Sequence, residues 1–122
     1  MTLAARSVHI AQVLLNLLHN ASDAVSGTPD PWIWLEVIER NESVELRITD
    51  SGKGIPLLIQ EKIFQPFFTT KDVGTGTGLG LSISMGIIRD HGGQLEIDNN
   101  CPNTCFVIRL PKWQNLPLTQ AS

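Results

Sequence analysis

The sequence predicts an α+β fold, a two-layer sandwich in which helices cover one face of a mixed, mostly antiparallel sheet. Two segments carry apolar residues at helical spacing, and two pairs of neighbouring segments alternate apolar and polar residues. Segments that alternate and lie next to each other in sequence form hairpins. Two amphipathic helices can then bury their apolar stripes against one face of the resulting sheet.

The composition is that of one globular domain. The chain has 122 residues, of which 42% are hydrophobic and 17% charged, which is enough to build a core and argues against disorder. A net charge of -3 gives no bulk attraction for nucleic acid or for an anionic membrane. No apolar run approaches the roughly 20 residues that span a bilayer, and the N-terminus lacks the layout of a signal peptide. We expect a domain at residues 1–111 and a tail at 112–122.

The first predicted helix spans residues 7–26. Apolar residues recur there at the i, i+3, i+4 and i+7 spacing of an amphipathic helix. Gly27 follows as a stop signal, and two prolines lie just beyond it. The apolar set consists of Ile10, Val13, Leu14, Leu17, Leu18, Ala21, Ala24 and Val25.

The remaining elements follow from alternation and from glycine and proline positions. Residues 32–40 and 44–50 alternate around a turn and predict one hairpin. A short helix is predicted from Pro56 to Lys62, a loop over residues 65–78 and a second long helix over 79–91. After two stopping glycines, residues 94–99 and 104–110 predict the last hairpin.

A polar stripe follows the first predicted helix, away from its apolar stripe. Asparagine prefers caps and turns, so Asn16 and Asn20 in mid-helix have displaced better helix formers. Two interpretations stay open: an ordinary solvated face, or amide oxygens that point into a pocket and could hold a hard cation such as Mg²⁺. The stripe consists of Gln12, Asn16, His19, Asn20 and Asp23.

The segment from Asp50 to Ile55 places a carboxylate at a strand end, followed by Gly52 and Gly54. Glycine permits unusual backbone dihedrals and the close approach of a flat ligand. An ionised aspartate only accepts hydrogen bonds, and the exocyclic amino group of adenine is a donor, so Asp50 can select adenine over guanine. A plain turn after a strand is the alternative, because Asp and Gly are common turn residues.

Residues 74–81 contain four alternate glycines that lead directly into an apolar helix start. Backbone N–H groups at a helix N-terminus bind anions, which favours phosphates here over a flexible linker. The segment matches neither a P-loop nor a dinucleotide fingerprint. The phenylalanine-rich residues 63–71 precede it, and they indicate an apolar cluster that pins a loop. Lys71 could reach a terminal phosphate or be solvated.

Taken in order and spacing, these segments resemble the ATP-binding domain of sensor histidine kinases. That domain belongs to the histidine kinase-like ATPase superfamily (Bergerat fold), with type II topoisomerase subunits, heat-shock protein 90 and mismatch-repair ATPases. The Pro-Phe-Phe-Thr-Thr-Lys wording is similar to the nitrogen-regulation and sporulation-kinase branch. The matching segments are residues 16–20 (asparagine box), 50–55 (first glycine box), 64–71 (phenylalanine box), 76–81 (second glycine box), 91–93 and 104–111.

The resemblance implies a role for each matching position, with ATP and Mg²⁺ as cofactors. Asn20 would bind Mg²⁺ beside Asn16, Asp50 would bind the adenine amino group, and residues 65–78 would form a lid. Phosphoryl transfer is mostly positioning and charge stabilisation, which suits such a site. The implied catalytic residues are Asn16 and Asn20, and the implied ATP contacts are Asn20, Asp50, Gly52, Gly54, Ile55, Lys71, Gly76, Thr77, Gly78, Leu79, Gly80 and Thr104.

One position separates branches of the superfamily. Its ATP-hydrolysing members carry a glutamate four residues before the metal-binding asparagine, where it can act as a general base. This chain has Asn16 there, and a neutral amide is no base, so transfer to a protein acceptor is expected instead of hydrolysis. His19 is the other conceivable base, but on a helix face a bystander role is the ordinary interpretation.

The phosphoacceptor is expected on another domain. Neither His9, His19 nor His91 lies in the His-Glu/Asp-x-x-x-Pro setting of such kinases. Since the first predicted helix begins close to residue 1, we expect the first strand of the family to be absent. The resemblance therefore implies an excised cytoplasmic domain that does not phosphorylate itself. Its expected partners are a dimerisation and histidine-phosphotransfer domain and, indirectly, a response regulator, with no nucleic acid and no membrane contact. The alternatives are an anti-sigma-factor-type serine kinase and a non-catalytic nucleotide-binding module.

Overall fold

The computed structural model describes residues 7–65 and 80–112. Its elements are α1 (Ser7–Val25), β1 (Ile33–Glu39), β2 (Ser43–Asp50), α2 (Leu57–Gln60), α3 (Gly80–Asp90), β3 (Gln94–Ile97) and β4 (Thr104–Pro111). They occur in the predicted order, each within a few residues of its predicted bounds. No helix in these two stretches is long and apolar enough to cross a membrane.

The four strands form one sheet in the order β1-β2-β4-β3. The three pairings between them are all antiparallel, so this described part of the predicted mixed sheet holds no parallel pair. In the centre of the sheet, Ile48 of β2 lies opposite Phe106 of β4 and Leu35 of β1. The α+β fold class is confirmed.

The core lies between the inner face of the sheet and the two long helices. Alternate residues of β2 and β4 point to this face, and α1 contributes the stripe that its i, i+3, i+4 spacing predicts. Burying such side chains contributes about 25 cal/mol per Å² of apolar surface. The fully buried members include Val13 and Leu17 of α1, Val44 and Ile48 of β2, Ile88 of α3, and Ile108 and Leu110 of β4.

The outer face of the sheet carries paired charges. Glu45 is buried, and it forms ion pairs with Arg109 at 3.1 Å and with Arg47 at 3.3 Å. Arg47 also pairs with Asp98 at the end of β3, which holds the pKa of the Asp98 carboxyl below its usual range. Charges can be buried on this face because they are paired and hydrogen-bonded.

Among the described strands, β1 lies at one edge of the sheet. Its inward-facing residues Ile33, Leu35 and Val37 are 39%, 47% and 56% exposed, although they alternate as a core strand would. The first helix lies mainly over β2 and contacts β1 less. Alternation therefore identified the strand and its faces correctly, but it did not foretell how little of this strand is covered.

Candidate functional site

The ends of the two central strands bring Asp50 and Thr104 together. Asp50 is the last residue of β2, and it lies opposite Thr104, the first residue of β4. Both side chains are buried, with residue exposures of 3% and 7%. An antiparallel pair thus joins two residues that are 54 positions apart in the chain and that the sequence assigned to the same ligand.

The turn after Asp50 is folded back onto its carboxylate. The backbone N–H of Gly52 donates to Asp50 Oδ1 at 2.7 Å, and the N–H of Gly54 donates to Thr104 Oγ1 at 3.1 Å. A Cβ atom at position 52 would lie 2.7 Å from Asp50 Oδ1 and 3.0 Å from Thr104 Oγ1. Gly54 has φ +93°, a backbone conformation that other residues rarely adopt. A side chain at position 52 would therefore crowd Asp50 and Thr104, and one at position 54 would strain the backbone.

Burial and hydrogen bonds act on the Asp50 carboxyl in opposite directions. Loss of hydration on burial raises its pKa above the ordinary 3.8, and this is the largest effect. The Gly52 N–H and the Thr104 hydroxyl, which donate to the carboxylate, lower the pKa and partly offset the burial. The result is a buried carboxylate at the start of a glycine turn, with hydrogen bonds from the Gly52 N–H and the Thr104 hydroxyl.

The loop between β3 and β4 holds the glycine turn from the other side. The carbonyl oxygen of Gly52 accepts hydrogen bonds from the Thr104 N–H and from Asn103 Nδ2, each at 3.2 Å. Asn103 did not stand out in the sequence, because an asparagine in a turn is common and its partner lies 51 residues away.

A second link joins this loop to α2. Gln60 Nε2 donates to Asn99 Oδ1 at 2.6 Å and to the carbonyl oxygen of Ile55 at 2.8 Å. Ile55 itself is half-buried and packs against the core. The predicted site residue Ile55 is thereby fixed next to Gly54, with its backbone tied to α2.

The phenylalanine box is described only at its start. Phe64 packs on the core, edge-on to Phe106 with ring centroids 6.4 Å apart. This agrees with the predicted apolar cluster at that residue. The predicted site residues Lys71, Gly76, Thr77, Gly78 and Leu79 lie outside the described residues, as does most of the predicted loop 65–78.

The two long helices run antiparallel with a definite register. The rings of His9 and His91 meet edge to face at 5.7 Å, and Asn16 Nδ2 donates to Ser84 Oγ at 3.2 Å. From the first contact to the second, α1 advances by two turns while α3 retreats by two turns. Continuing this register for one more turn places Asn20 level with Gly80, the first residue of α3.

This register brings the polar stripe of α1 to the N-terminus of α3. The first turn of a helix presents backbone N–H groups without intrahelical partners, and these attract anions. If this register continues, Asn20 is level with a terminus suited to phosphates, which is the position that the pocket interpretation requires. Within residues 7–65 and 80–112, no three His, Cys, Asp or Glu side chains come together as a metal cage. A cation there would need amide oxygens, water and ligand oxygens, as Mg²⁺ commonly has.

Comparisons with known proteins identify the family of this chain. Residues 5–114 match the family described as histidine kinase-, DNA gyrase B- and HSP90-like ATPase. The two-component sensor PprA of Pseudomonas aeruginosa is 44% identical over 91% of this chain. The sensory histidine kinase/phosphatase NtrB of Rhizobium leguminosarum is 36% identical over 93%, and sporulation kinase A of Bacillus subtilis is 37% identical over 84%.

Solved structures match the fold equally well. The catalytic domain of histidine kinase ThkA, in a nucleotide-free form, superposes with a TM-score of 0.78 at 40% identity, covering 88% of this chain and 69% of that one. The chain spans only 13% of the PprA sensor, 33% of NtrB and 16% of sporulation kinase A. These matches show that the chain belongs to the histidine kinase-, DNA gyrase B- and HSP90-like ATPase family, as a domain of the kind found in sensor histidine kinases.

Proposed function

We propose that this chain is the ATP-binding catalytic domain of a two-component sensor histidine kinase. It binds Mg²⁺-ATP and presents the terminal phosphate to a histidine on another domain. The observation that carries the proposal is the buried Asp50 carboxylate, which a glycine turn and Thr104 hold at the ends of β2 and β4.

Base selection follows from the chemistry of Asp50. The adenine amino group would donate to the carboxylate, and Gly52 and Gly54 leave room for the flat ring beside it. Thr104 already accepts from Gly54 and donates toward Asp50, so its hydroxyl would order the water that supports the base. Guanine offers an acceptor where adenine offers the amino group, and it would face the carboxylate unfavourably.

The phosphates would lie between Asn20 and the start of α3. The amide oxygen of Asn20 would serve as the protein ligand of Mg²⁺, which supplies charge neutralisation to the transferring phosphoryl group. Gly80 offers backbone N–H contact at the helix start. The proposed ATP site also includes Ile55 and five residues outside the described part of the chain, namely Lys71, Gly76, Thr77, Gly78 and Leu79.

Asn16 is the reason to expect transfer of the terminal phosphate to a protein acceptor instead of hydrolysis of ATP by water. A neutral amide cannot take a proton from water at neutral pH, so the site has no general base at this position. The proposed acceptor is a histidine on a dimerisation and phosphotransfer domain of the parent kinase, and a response regulator would then receive the phosphate. In this proposal residues 1–111 form the domain and residues 112–122 a tail. The isolated chain would not label itself.

Calorimetry with ATP and GTP in the presence of Mg²⁺ tests base recognition. We expect the wild-type chain to bind ATP at least tenfold more tightly than GTP, and Asp50→Asn to lose most of this preference because its amide is no longer an obligatory acceptor. Asp90→Asn, which removes an exposed carboxylate at the end of α3, is the matched control and should leave both affinities unchanged. Equal affinities for ATP and GTP in the wild type, unaffected by Asp50→Asn, would contradict the proposal.

A further inference from the structure

Ser84 is a polar residue in a position that helix packing would give to an apolar one. Leu81, Ser84 and Ile88 lie at i, i+3 and i+7 on the face of α3 that meets the core. Ser84 and Ile88 are both 0% exposed. A buried hydroxyl without a hydrogen-bond partner costs about 1–3 kcal/mol, so its partner decides whether this serine is tolerated.

The partner is Asn16, itself an unfavourable choice in the middle of α1. Asn16 Nδ2 donates to Ser84 Oγ at 3.2 Å across 68 positions of sequence. Asn16 is an unfavourable residue for the middle of a helix, and Ser84 is a polar residue in a buried position. Each gives the other a hydrogen-bond partner between the two helices. Apolar residues at both positions would pack the interface without a polar pair, so stability alone gives no reason for the pair.

The hydrogen bond also orients the Asn16 amide. With Ser84 Oγ as the acceptor, the NH₂ group lies against α3 and the planar amide carries its oxygen, Oδ1, on the other side of the group. Asn16 lies one helical turn before Asn20, on the same stripe of α1. An oxygen at this position can accept a hydrogen bond from a water of the Mg²⁺ shell, whereas an NH₂ group cannot.

We propose that Ser84 is a positioning residue for the Mg²⁺-ATP complex. It holds the Asn16 amide with its oxygen toward the metal site, and it keeps the start of α3 level with Asn20. This inference rests on the proposed function, because it assigns the metal site to the asparagine stripe. Ser84 itself touches neither the nucleotide nor the metal ion.

The test compares ATP affinity with and without Mg²⁺, measured by calorimetry on the whole chain. In Ser84→Ala the Asn16 amide loses its anchor and is free to rotate. We expect the gain in ATP affinity on adding Mg²⁺ to fall about tenfold, while the affinity for ATP in EDTA changes less than twofold. Ser84→Cys, with a similar volume and a weak acceptor, should recover part of the gain.

Two further variants separate positioning from packing. Ile88→Val removes one methyl group from the same helix face, so it should lower stability without changing the Mg²⁺-dependent gain. Asn16→Ala should reduce the gain as Ser84→Ala does, and the double variant should lose no more than either single variant.

The outcomes are distinguishable. A wild-type chain that binds no ATP overturns the proposed function and this inference together. A wild-type chain that binds ATP with a Mg²⁺-dependent gain that Ser84→Ala leaves intact overturns the inference alone. The inference also fails if Ser84→Ala and Ile88→Val weaken ATP binding equally with and without Mg²⁺, since that pattern is loss of packing.

Discussion

The proposed site has two ends that are built in different ways. At the base end Asp50 and Thr104 would bind adenine, and at the helix end Asn20 and the start of α3 would bind the phosphates. At the base end, strand pairing brings Asp50 to Thr104, and contacts of 2.7–3.2 Å close the turn at Gly52 and Gly54 around them. At the helix end, α1 and α3 lie side by side, and the hydrogen bond from Asn16 to Ser84 links them at 3.2 Å. The base end is thus held by backbone pairing and a closed turn, whereas the helix end is held by side-chain contacts between two helices.

The contrast has a functional consequence. A base is a rigid, planar ligand, and a preorganised end binds it without first having to be ordered. A triphosphate with its metal is flexible, and the chemistry needs its last phosphate placed against an external acceptor. We therefore expect substitutions at the base end to have abrupt effects on ATP binding, and substitutions at the helix end to have graded effects that depend on Mg²⁺.

The largest effect is expected from Gly52→Ala. The new Cβ would lie 2.7 Å from Asp50 Oδ1 and 3.0 Å from Thr104 Oγ1, so the turn or the carboxylate must move. Because the base end has little room to adjust, ATP affinity should fall about 100-fold or more, a cost of roughly 2.7 kcal/mol. Calorimetric titration with Mg²⁺-ATP measures it directly.

A glycine without such neighbours provides the control. Gly86 is exposed in the middle of α3, and nothing lies within 4 Å of an added Cβ. Gly86→Ala should leave ATP affinity unchanged and stabilise the domain by about 0.5–1 kcal/mol, because alanine is the better helix former. If Gly52→Ala bound ATP as well as Gly86→Ala does, the base end would be far more adaptable than the distances indicate.

An intermediate effect is expected from Asn20→Ala at the helix end. Removing the amide oxygen takes away a proposed Mg²⁺ ligand but leaves the base end intact. Phosphoryl transfer from the parent kinase to its own histidine should drop at least tenfold, whereas the affinity of the chain for ATP in EDTA should stay within about twofold of wild type. Radiolabelled autophosphorylation and calorimetry provide the two readouts.

Asn100→Ala is the matched asparagine control, since this residue is exposed in the loop between β3 and β4. It should transfer phosphate at the wild-type rate. Normal autophosphorylation in Asn20→Ala would show that Asn20 is not a Mg²⁺ ligand. The proposal that the two ends have separate roles would then fail as well.

The two ends also differ in how much of them the sequence predicts. Local patterns identified the helices and strands. The Asp50-x-Gly-x-Gly spacing alone allowed either a ligand site or a plain turn, and the resemblance of the whole set of segments to the kinase domain favoured the ligand site. The supporting residues escaped notice because their partners are distant in sequence: Asn103 bonds across 51 positions, and Ser84 across 68. A serine among the apolar residues of a helix is common, and only the antiparallel register of α1 and α3 shows that Ser84 faces Asn16.

The exposure of β1 was unpredictable for a similar reason. Alternation predicts which residues share a face, as Ile33, Leu35 and Val37 do. Whether a helix covers that face depends on where α1 lies over the sheet, and α1 lies mainly over β2. Such placement depends on packing among all elements and leaves no trace in the local pattern.

The smallest expected effect is that of Asp50→Asn on stability. This substitution should stabilise the domain at neutral pH, whereas it should weaken the recognition of ATP. Burial raises the folded-state pKa of Asp50 above 3.8, so the folded chain holds that proton more tightly than the unfolded chain. Stability contributed by this group is therefore lost as the pH rises from 3.8 through the raised pKa, and the loss persists at pH 7. Asp50→Asn abolishes this dependence.

In thermal unfolding between pH 4 and pH 7, the Tm of Asp50→Asn should therefore increase relative to the Tm of the wild type as the pH rises. The relative increase should be no more than a few degrees at neutral pH. Asp90→Asn should follow the wild-type curve. The gain would mean that the base end keeps a charged carboxylate at a cost in stability, which is expected of a group retained for its ligand. A Tm for Asp50→Asn that falls further below wild type as the pH rises would reverse the argument, because the carboxylate would then stabilise the empty domain and its burial would need no ligand to explain it.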